Sequence, residues 1–188
     1  MKNEERDELT KLVVAPYIQK ATALIGVARK VGGNQFRHMM ATFSILIDYH
    51  YTDPVMLKAS LIHDLFEDVP DASTEEVIKL DKHGYEVVKL ALEVSRQPGE
   101  DKIEYLKKIL HRGSREARII KVADRISNIT DLHLDIIIKD KMASYLDQTM
   151  DYIYPMAVKE DLNMAHEIKD LVKRRRLYLQ TYSKADKI

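Results

Sequence analysis

The stretch that most constrains the fold is residues 59–68, where one histidine and three carboxylates stand among apolar side chains. In a helix, residues four apart share a face, so His63 stacks with Glu67 and Asp64 stacks with Asp68. Apolar residues cover most of the remaining surface, and a helix that is apolar nearly all round belongs in a core. Unpaired carboxylates buried there would be costly. The stretch therefore predicts a buried helix whose polar stripe faces a positive partner, and a divalent metal meets that need.

Apolar residues recur with helical spacing along the whole chain, and no segment convincingly predicts a strand. The six glycines and five prolines are few for strands bounded by turns. A chain of 188 residues that is 45% apolar can bury a substantial core as one domain over residues 1–188. We therefore predict an all-α fold, a single multi-helix bundle in which the metal site lies between core helices.

Capping and breaking residues divide the chain into helices. Pro54 begins the helix that carries residues 59–68, Ser114 caps a later one, and Gly32-Gly33 are expected to end the second. The other predicted helices span about 4–15, 17–30, 35–50, 73–84, 85–95, 101–112, 139–158 and 161–182, the last two closing the bundle.

Composition narrows the range of functions. The absence of cysteine excludes disulfides, cysteine-type zinc sites and a thiol nucleophile. Residues 1–10 contain no signal segment and no apolar run approaches a membrane span. Zero net charge argues against a general nucleic-acid binder. We assign the basic run 173–176 to a solvated face, with binding of nucleic acid or of a partner as the alternative. We expect a soluble cytoplasmic protein without a membrane partner. Its oligomeric state stays open, with a homodimer as one alternative.

The helix after Ser114 carries a second polar stripe. Lys121, Asp124 and Asn128 lie three and four residues apart on one side of it. Asp124 sits among apolar residues and is therefore another buried carboxylate that needs a partner. An ion pair with Arg125 or Lys121 is the alternative to a role in metal binding.

The succession of His38, His63-Asp64 and Asp124 resembles the pattern of HD-domain phosphohydrolases. Residues 63–68 look like the HDxxED motif of the RelA/SpoT-type alarmone hydrolases, and residues 114–128 look like their ARxxKxADRxxN stretch. The resemblance runs from about residue 23 to 132. It is closest to the small single-domain hydrolases, including the SpoT-like form of animals.

Arg29 to Gly32 resembles the RKxG that precedes the first metal histidine in that family. The resemblance implies a metal-dependent hydrolase that removes the 3′-pyrophosphate of guanosine tetra- or pentaphosphate, (p)ppGpp, to give GDP or GTP. The residues it implies are His38, His63, Asp64 and Asp124 as ligands of a metal that is usually Mn²⁺, Glu67 and Asp68 at the attacking water, and Arg29, Lys30 and Asn128 at the nucleotide. A mixed nitrogen and oxygen donor set also suits Fe²⁺ or Zn²⁺. Lys121, like Arg29 and Lys30, could neutralise pyrophosphate charge.

Three departures from the family pattern lie in the substrate-binding part. They are Leu24 and Val27 before the Arg-Lys pair, residues 34–39 around the first histidine, and Thr130 after the asparagine. Two alternatives therefore stay open. One is an HD hydrolase of another nucleotide phosphate, such as the 2′-phosphate of NADPH or a 3′-phosphonucleotide. The other is a non-catalytic module that binds an alarmone or a metal.

Overall fold

The computed structural model describes residues 1–134 and 139–185, and they are helical almost throughout. Within these ranges there is no strand, only one isolated antiparallel bridge between Ala28 and Asn34. The helices are α1 (Asn3–Lys11), α2 (Ala15–Ala21), α3 (Gln35–Asp48), α4 (Pro54–Ser60), α5 (Leu65–Asp68), α6 (Thr74–Ile78), α7 (Gly84–Val94), α8 (Lys102–Arg112), α9 (Arg115–Thr130), α10 (Lys139–Gln148), α11 (Tyr154–Glu160) and α12 (Leu162–Ala185). This confirms the predicted all-α class.

Polar side chains set the starts of the helices that build the site. Asn34, Asp53, Asp101 and Ser114 each accept a hydrogen bond from a backbone N–H in the first turn of α3, α4, α8 and α9, respectively. These bonds satisfy donors that a helix start otherwise leaves unpaired. The cap predicted at Ser114 and the helix start predicted at Pro54 are therefore present.

Helix α9 is the centre of the molecule. It packs against α3, α7, α11 and α12, and most of its side chains are buried. The apolar residues Ile119, Ile120, Val122, Ala123 and Ile126 lie in the core, so the polar residues between them are carried inward too. Asp124 and Arg125 are both buried for this reason.

The prediction of one continuous helix through residues 59–68 is wrong. Helix α4 ends at Ser60 and α5 begins at Leu65, with a tight turn between them. In a continuous helix the carbonyl oxygen of Ser60 would accept the N–H of Asp64. Here it accepts the imidazole N–H of His63 instead, at 2.8 Å. The side chain of His63 therefore replaces a backbone donor, and the helix stops.

Two other predicted boundaries need correction. The second helix does not reach Gly32; α2 continues only as a 3₁₀ turn to Gly26, and Gly32 and Gly33 lie in the following loop with φ of 89° and 71°. The helix after Ser73 ends at Ile78, and Gly84 begins α7 instead of ending α6. A Cβ atom at Gly84 would lie 2.3 Å from the carbonyl oxygen of Ile78, so only glycine fits this close approach.

The segment predicted as one helix over 139–158 is interrupted. Between α10 and α11 the chain makes a π-helical turn over Thr149–Ile153. Pro155 follows in the first turn of α11, where its missing N–H costs least. Of the predicted closing region, residues 186–188 lie outside the described residues.

In residues 1–134 and 139–185, none of the helices combines the length and the apolar character that crossing a membrane requires.

Candidate metal centre

Two buried histidines form the floor of the candidate site. His38 lies on α3 and His63 lies in the turn between α4 and α5, and both are almost completely inaccessible to solvent. Their ring centroids are 5.4 Å apart with the rings nearly perpendicular. The packing of α3 and α4 therefore brings together two imidazoles that are 25 residues apart in the chain.

The hydrogen bond that ends α4 also decides which nitrogen of His63 faces the site. Nδ1 must carry the proton, because the carbonyl oxygen of Ser60 can only accept. The neutral ring then presents a lone pair at Nε2. This atom is buried and has no hydrogen-bond partner among the described residues. A buried nitrogen with an open lone pair is what a metal ion requires of a histidine ligand.

Helix α9 positions His38 from the other side. Nδ1 of His38 lies 2.9 Å from the hydroxyl oxygen of Ser127, and Nε2 lies 3.0 Å from Oδ1 of Asp124. Ser127 follows Asp124 by three residues and therefore lies on the same face of α9. One helix face thus orients the ring and supplies a carboxylate beside it.

The ligand atoms of His38, His63 and Asp124 all lie within 4.8 Å of one another. Asp64 faces the same point, with its carboxylate oxygens 3.9 Å from Nε2 of His38 and 3.5 Å from Nε2 of His63. The structure therefore brings together all four predicted ligands. The unpaired Nε2 of His63 and the mixed nitrogen and oxygen donors fit a divalent cation.

Lys121 is the ionic partner of Asp124. Its ammonium lies 2.8 Å from Oδ2 of Asp124. Burial alone would raise the pKa of Asp124, but the charge of Lys121 and the hydrogen bond from His38 outweigh it and hold this pKa well below its usual range. The alternative partner considered above, Arg125, points elsewhere.

The guanidinium of Arg125 lies 4.1 Å from the ring centroid of Tyr145 and donates to the hydroxyl of Thr149. The proximity of Arg125 to Asp124 along the chain therefore does not produce an ion pair between them. Lys121, one turn earlier on α9, supplies the charge instead.

Glu67 and Asp68 diverge, contrary to the common stripe expected from a continuous helix. Glu67 is exposed, and its carboxylate accepts the backbone N–H of Arg96 at 3.0 Å, with the guanidinium of Arg96 3.7 Å away. Asp68 accepts an N–H of Gln35 at 2.7 Å. Burial raises the pKa of Asp68, the nearby Asp64 adds to that effect, and the bond from Gln35 opposes it.

The predicted nucleotide residues divide into two groups. Arg29 donates to Oδ1 of Asn128 at 2.8 Å, and Asn128 donates in turn to Asp124, so both residues connect to the metal ligands. Lys30 is exposed, one residue further along the loop that holds Gly32 and Gly33. The geometry therefore joins Arg29 and Asn128, with Lys121, to the site, and it leaves Lys30 outside this network.

A pocket of about 250 Å³ opens beside the four ligands and contains residues that were not among the predicted site residues. Its walls include Arg96, Lys102, Tyr105, Arg125 and Tyr145 from the α7–α8 loop and from helices α8, α9 and α10. A second cavity of about 510 Å³ shares Lys102, Asn128 and Tyr145 with the first. The spacing of Ser127 after Asp124 could have identified that serine. No local pattern marks Lys102 or Tyr145, because only tertiary packing brings them to the pocket.

Comparison with known families matches residues 36–129 to the HD domain. This range contains all four predicted metal ligands and both predicted catalytic carboxylates. It also contains the pocket residues that the α7–α8 loop, α8 and α9 contribute.

Among curated proteins, the chain is 33% identical over 102 residues to guanosine-3′,5′-bis(diphosphate) 3′-pyrophosphohydrolase of Drosophila melanogaster. The aligned residues cover 52% of this chain and 55% of the Drosophila protein. It is 29% identical over 156 residues to the GTP pyrophosphokinase rsh of Brucella suis, covering 78% of this chain and 20% of that protein. The chain thus spans about one fifth of the length of this bacterial relative.

Among solved structures, the chain matches a metazoan ortholog of SpoT that hydrolyses ppGpp and plays a role in starvation responses. The TM-score is 0.74 at 25% sequence identity, and the match covers 85% of this chain and 93% of the other. The helical bundle is therefore shared over most of both chains.

Proposed function

Because this chain belongs to the HD-domain family, we propose that it hydrolyses (p)ppGpp by removing the 3′-pyrophosphate, leaving GDP or GTP. The observation that carries the proposal is the buried cluster of His38, His63 and Asp124, with the partly buried Asp64 next to it, beside a pocket lined with cationic side chains. The names of the Drosophila relative and of the metazoan structure support the choice of substrate.

We infer that the four clustered side chains hold one divalent cation, and we propose Mn²⁺ as that cation. When bound, the cation supplies Lewis acidity toward a phosphoryl oxygen and toward water. Ser60 and Ser127 support this role by orienting the two imidazoles through Nδ1. Hydrogen bonds of this kind fix the tautomer and direction of ligand histidines.

The two acidic residues next to the site have different environments, and we propose different roles for them. Glu67 borders the pocket and its carboxylate accepts the backbone N–H of Arg96, so it is held where it could accept a proton from the attacking water. Asp68 is partly buried and has a raised pKa, so it is suited to carry a proton that is returned to the 3′-oxygen of the leaving nucleoside. In the overall reaction, water adds its oxygen to phosphorus and its proton to that 3′-oxygen.

The two neighbouring cavities suggest how the nucleotide lies. The smaller one borders the metal ligands and carries cationic side chains, which suits the pyrophosphate group. The larger one has a more apolar lining that includes Val31, Leu132 and Met142, which suits a nucleoside. Asn128 lines both, and its bond from Arg29 holds it at their junction. Lys30 would then contact the nucleotide only at the edge of the site.

A cleavage assay with Mn²⁺ over a panel of nucleotides tests the proposal. Release of pyrophosphate from ppGpp with GDP left behind is the expected result. Release of monophosphate alone from NADPH or from a 3′-phosphonucleotide, with ppGpp intact, would replace the proposal by the alternative HD activity. The Glu67→Gln variant is the matched control, because it should retain the metal and lose turnover.

The proposed partner is thus a free nucleotide, and we propose the cytoplasm as the place where the protein meets it. A non-catalytic module that binds an alarmone would bind ppGpp in the same assay without releasing pyrophosphate.

Sedimentation with and without ppGpp would tell a monomer from a homodimer.

A further inference from the structure

Lys102, at the start of α8, lines both cavities of the proposed site. Its ammonium lies 5.0 Å from the ring centroid of Tyr145. In the described part of the chain, no carboxylate lies within ion-pair distance of it. By contrast, the neighbouring lysines Lys107 and Lys108 on the same helix pair with Glu104 and Glu100. Lys102 is therefore an exposed cation that lines both cavities and has no carboxylate at ion-pair distance among the described residues.

A second cation beside Lys102 is also incompletely paired. Arg125 is buried and stacks on the same Tyr145 ring, while its two hydrogen-bond acceptors, the hydroxyl of Thr149 and the backbone carbonyl of Tyr145, are both uncharged. Its Nε is buried with no hydrogen-bond partner among the described residues. Unpaired buried donors are costly and are rare unless a ligand completes them.

The charged side chains around the smaller cavity indicate the sign of the charge on the ligand that would pair with Lys102 and Arg125. Four cationic side chains, Arg96, Lys102, Lys121 and Arg125, line it against three carboxylates, Asp64, Glu67 and Asp124. A divalent cation among the ligands would add two more positive charges. The loaded cavity would therefore carry a net positive charge that suits a phosphate chain and no neutral or cationic ligand.

We propose that Lys102 is an additional binding residue for the pyrophosphate group. This inference rests on the proposed function, because it names the group that the substrate presents to Lys102. It assigns a role to a residue that no sequence motif marks.

The linkage to protons follows from the surroundings of Lys102. Partial desolvation in the cavity, together with the charges of Arg125, Lys121 and Arg96, lowers its pKa to about 8, against the opposing effect of Asp124. The other groups that face it are the ring of Tyr145 and, around the larger cavity, Asp140 and Lys141. A bound polyanion favours the ammonium form, so affinity is highest below pH 8 and falls as the pH rises through that value.

Binding of inorganic pyrophosphate to the Mn²⁺-loaded protein, measured by calorimetry between pH 7 and 9, tests this inference. We compare the wild type with Lys102→Arg, which stays charged throughout, with Lys102→Met, and with Lys107→Met as a control at an exposed lysine of the same helix that lines neither cavity. The ionisation of pyrophosphate itself changes the affinity of all four proteins equally. The ratios of their affinities at each pH therefore report the effect of Lys102 alone. Circular dichroism and thermal melting verify that each variant is folded.

We expect the wild-type affinity to fall about fivefold more than that of Lys102→Arg between pH 7 and 9, because a group with a pKa of about 8 loses its proton over this range and its charged form contributes about tenfold in affinity. At pH 7, Lys102→Met should bind roughly tenfold more weakly than the wild type, as loss of a charge-assisted hydrogen bond predicts. Lys107→Met should match the wild type at every pH.

Two results would overturn the inference. One is wild-type affinity in Lys102→Met at pH 7, and the other is an identical decline with pH in the wild type and Lys102→Arg. Failure of the proposed function looks different, because the wild type would then release no pyrophosphate from ppGpp whatever Lys102 does. An active wild type with an unchanged KM in Lys102→Met would remove the role of Lys102 alone.

Discussion

Replacing Asp124 with alanine tests the metal site and its electrostatics separately. The carboxylate is almost fully buried and lies 2.8 Å from the ammonium of Lys121, whose side chain is only 13% exposed. Removing one partner of a buried ion pair costs about 3–5 kcal/mol, since the other charge remains desolvated. Because Lys121 retains some contact with solvent, we expect a loss of about 3 kcal/mol in unfolding free energy for the metal-free protein.

Urea unfolding in the presence of a chelator measures this loss without any contribution from bound metal. The midpoint should fall at constant slope, and the melting temperature should drop by on the order of 10 °C. The double variant Asp124→Ala with Lys121→Met should recover most of the stability, because it removes the stranded charge as well. Neither Asp124 variant should bind Mn²⁺ stoichiometrically, whereas Lys121→Met alone should retain the metal.

These measurements can contradict the reasoning at two independent points. A destabilisation of the metal-free protein below about 1 kcal/mol would mean that Lys121 finds other partners and that its pairing with Asp124 contributes little. Stoichiometric Mn²⁺ binding by Asp124→Ala would remove that residue from the ligand set, whatever the stability of the variant.

Three further predictions concern the residues around the ligands. Glu67→Gln should bind Mn²⁺ as the wild type does while kcat falls at least a hundredfold, since only the proton acceptor is lost; an unchanged kcat would exclude that role. Gln35→Leu should raise the pKa of Asp68 further, because it removes the bond that favours the carboxylate, and should move the alkaline limb of the kcat–pH profile to higher pH; an unmoved limb would assign it to another group. Arg29→Ala should raise the KM for ppGpp about tenfold with kcat nearly retained, because Arg29 bonds to Asn128 on the nucleotide side of the site. A selective loss of kcat would argue instead that Arg29 supports the reacting centre.

Local sequence signals predicted the helices of the core well. Ser114 caps α9 as expected, and the apolar spacing of that helix gives its buried face. The stripe of Lys121, Asp124 and Asn128 also forms as predicted, because residues three and four apart in a regular helix have little freedom to diverge. Where the interacting side chains lie on the same helix, the spacing in the sequence is sufficient to predict their contact.

Contacts between distant helices were accessible only through resemblance to a family. His38 has no local pattern of its own, and its approach to Asp124 depends on α3 packing against α9. No local sequence pattern and no family resemblance predicts Lys102 or Tyr145 as a site residue. Their meeting at the pocket depends on the packing of α8 and the π-helical turn that follows α10.

The interruption after Ser60 shows why a correct motif gave an incorrect local geometry. A prediction from periodicity assumes that the backbone carbonyls of a helix bond only to backbone N–H groups. Here the imidazole of His63 competes for the carbonyl of Ser60. That competition frees Nε2 of His63 for a metal and at the same time rotates the residues that follow. Asp64 then faces the imidazoles, while Glu67 turns toward Arg96 and Asp68 toward Gln35. A continuous helix would have placed all three carboxylates on one stripe, where mutual repulsion opposes ionisation. The break therefore separates Asp64, which we propose as a metal ligand, from Glu67 and Asp68, for which we propose roles in proton transfer.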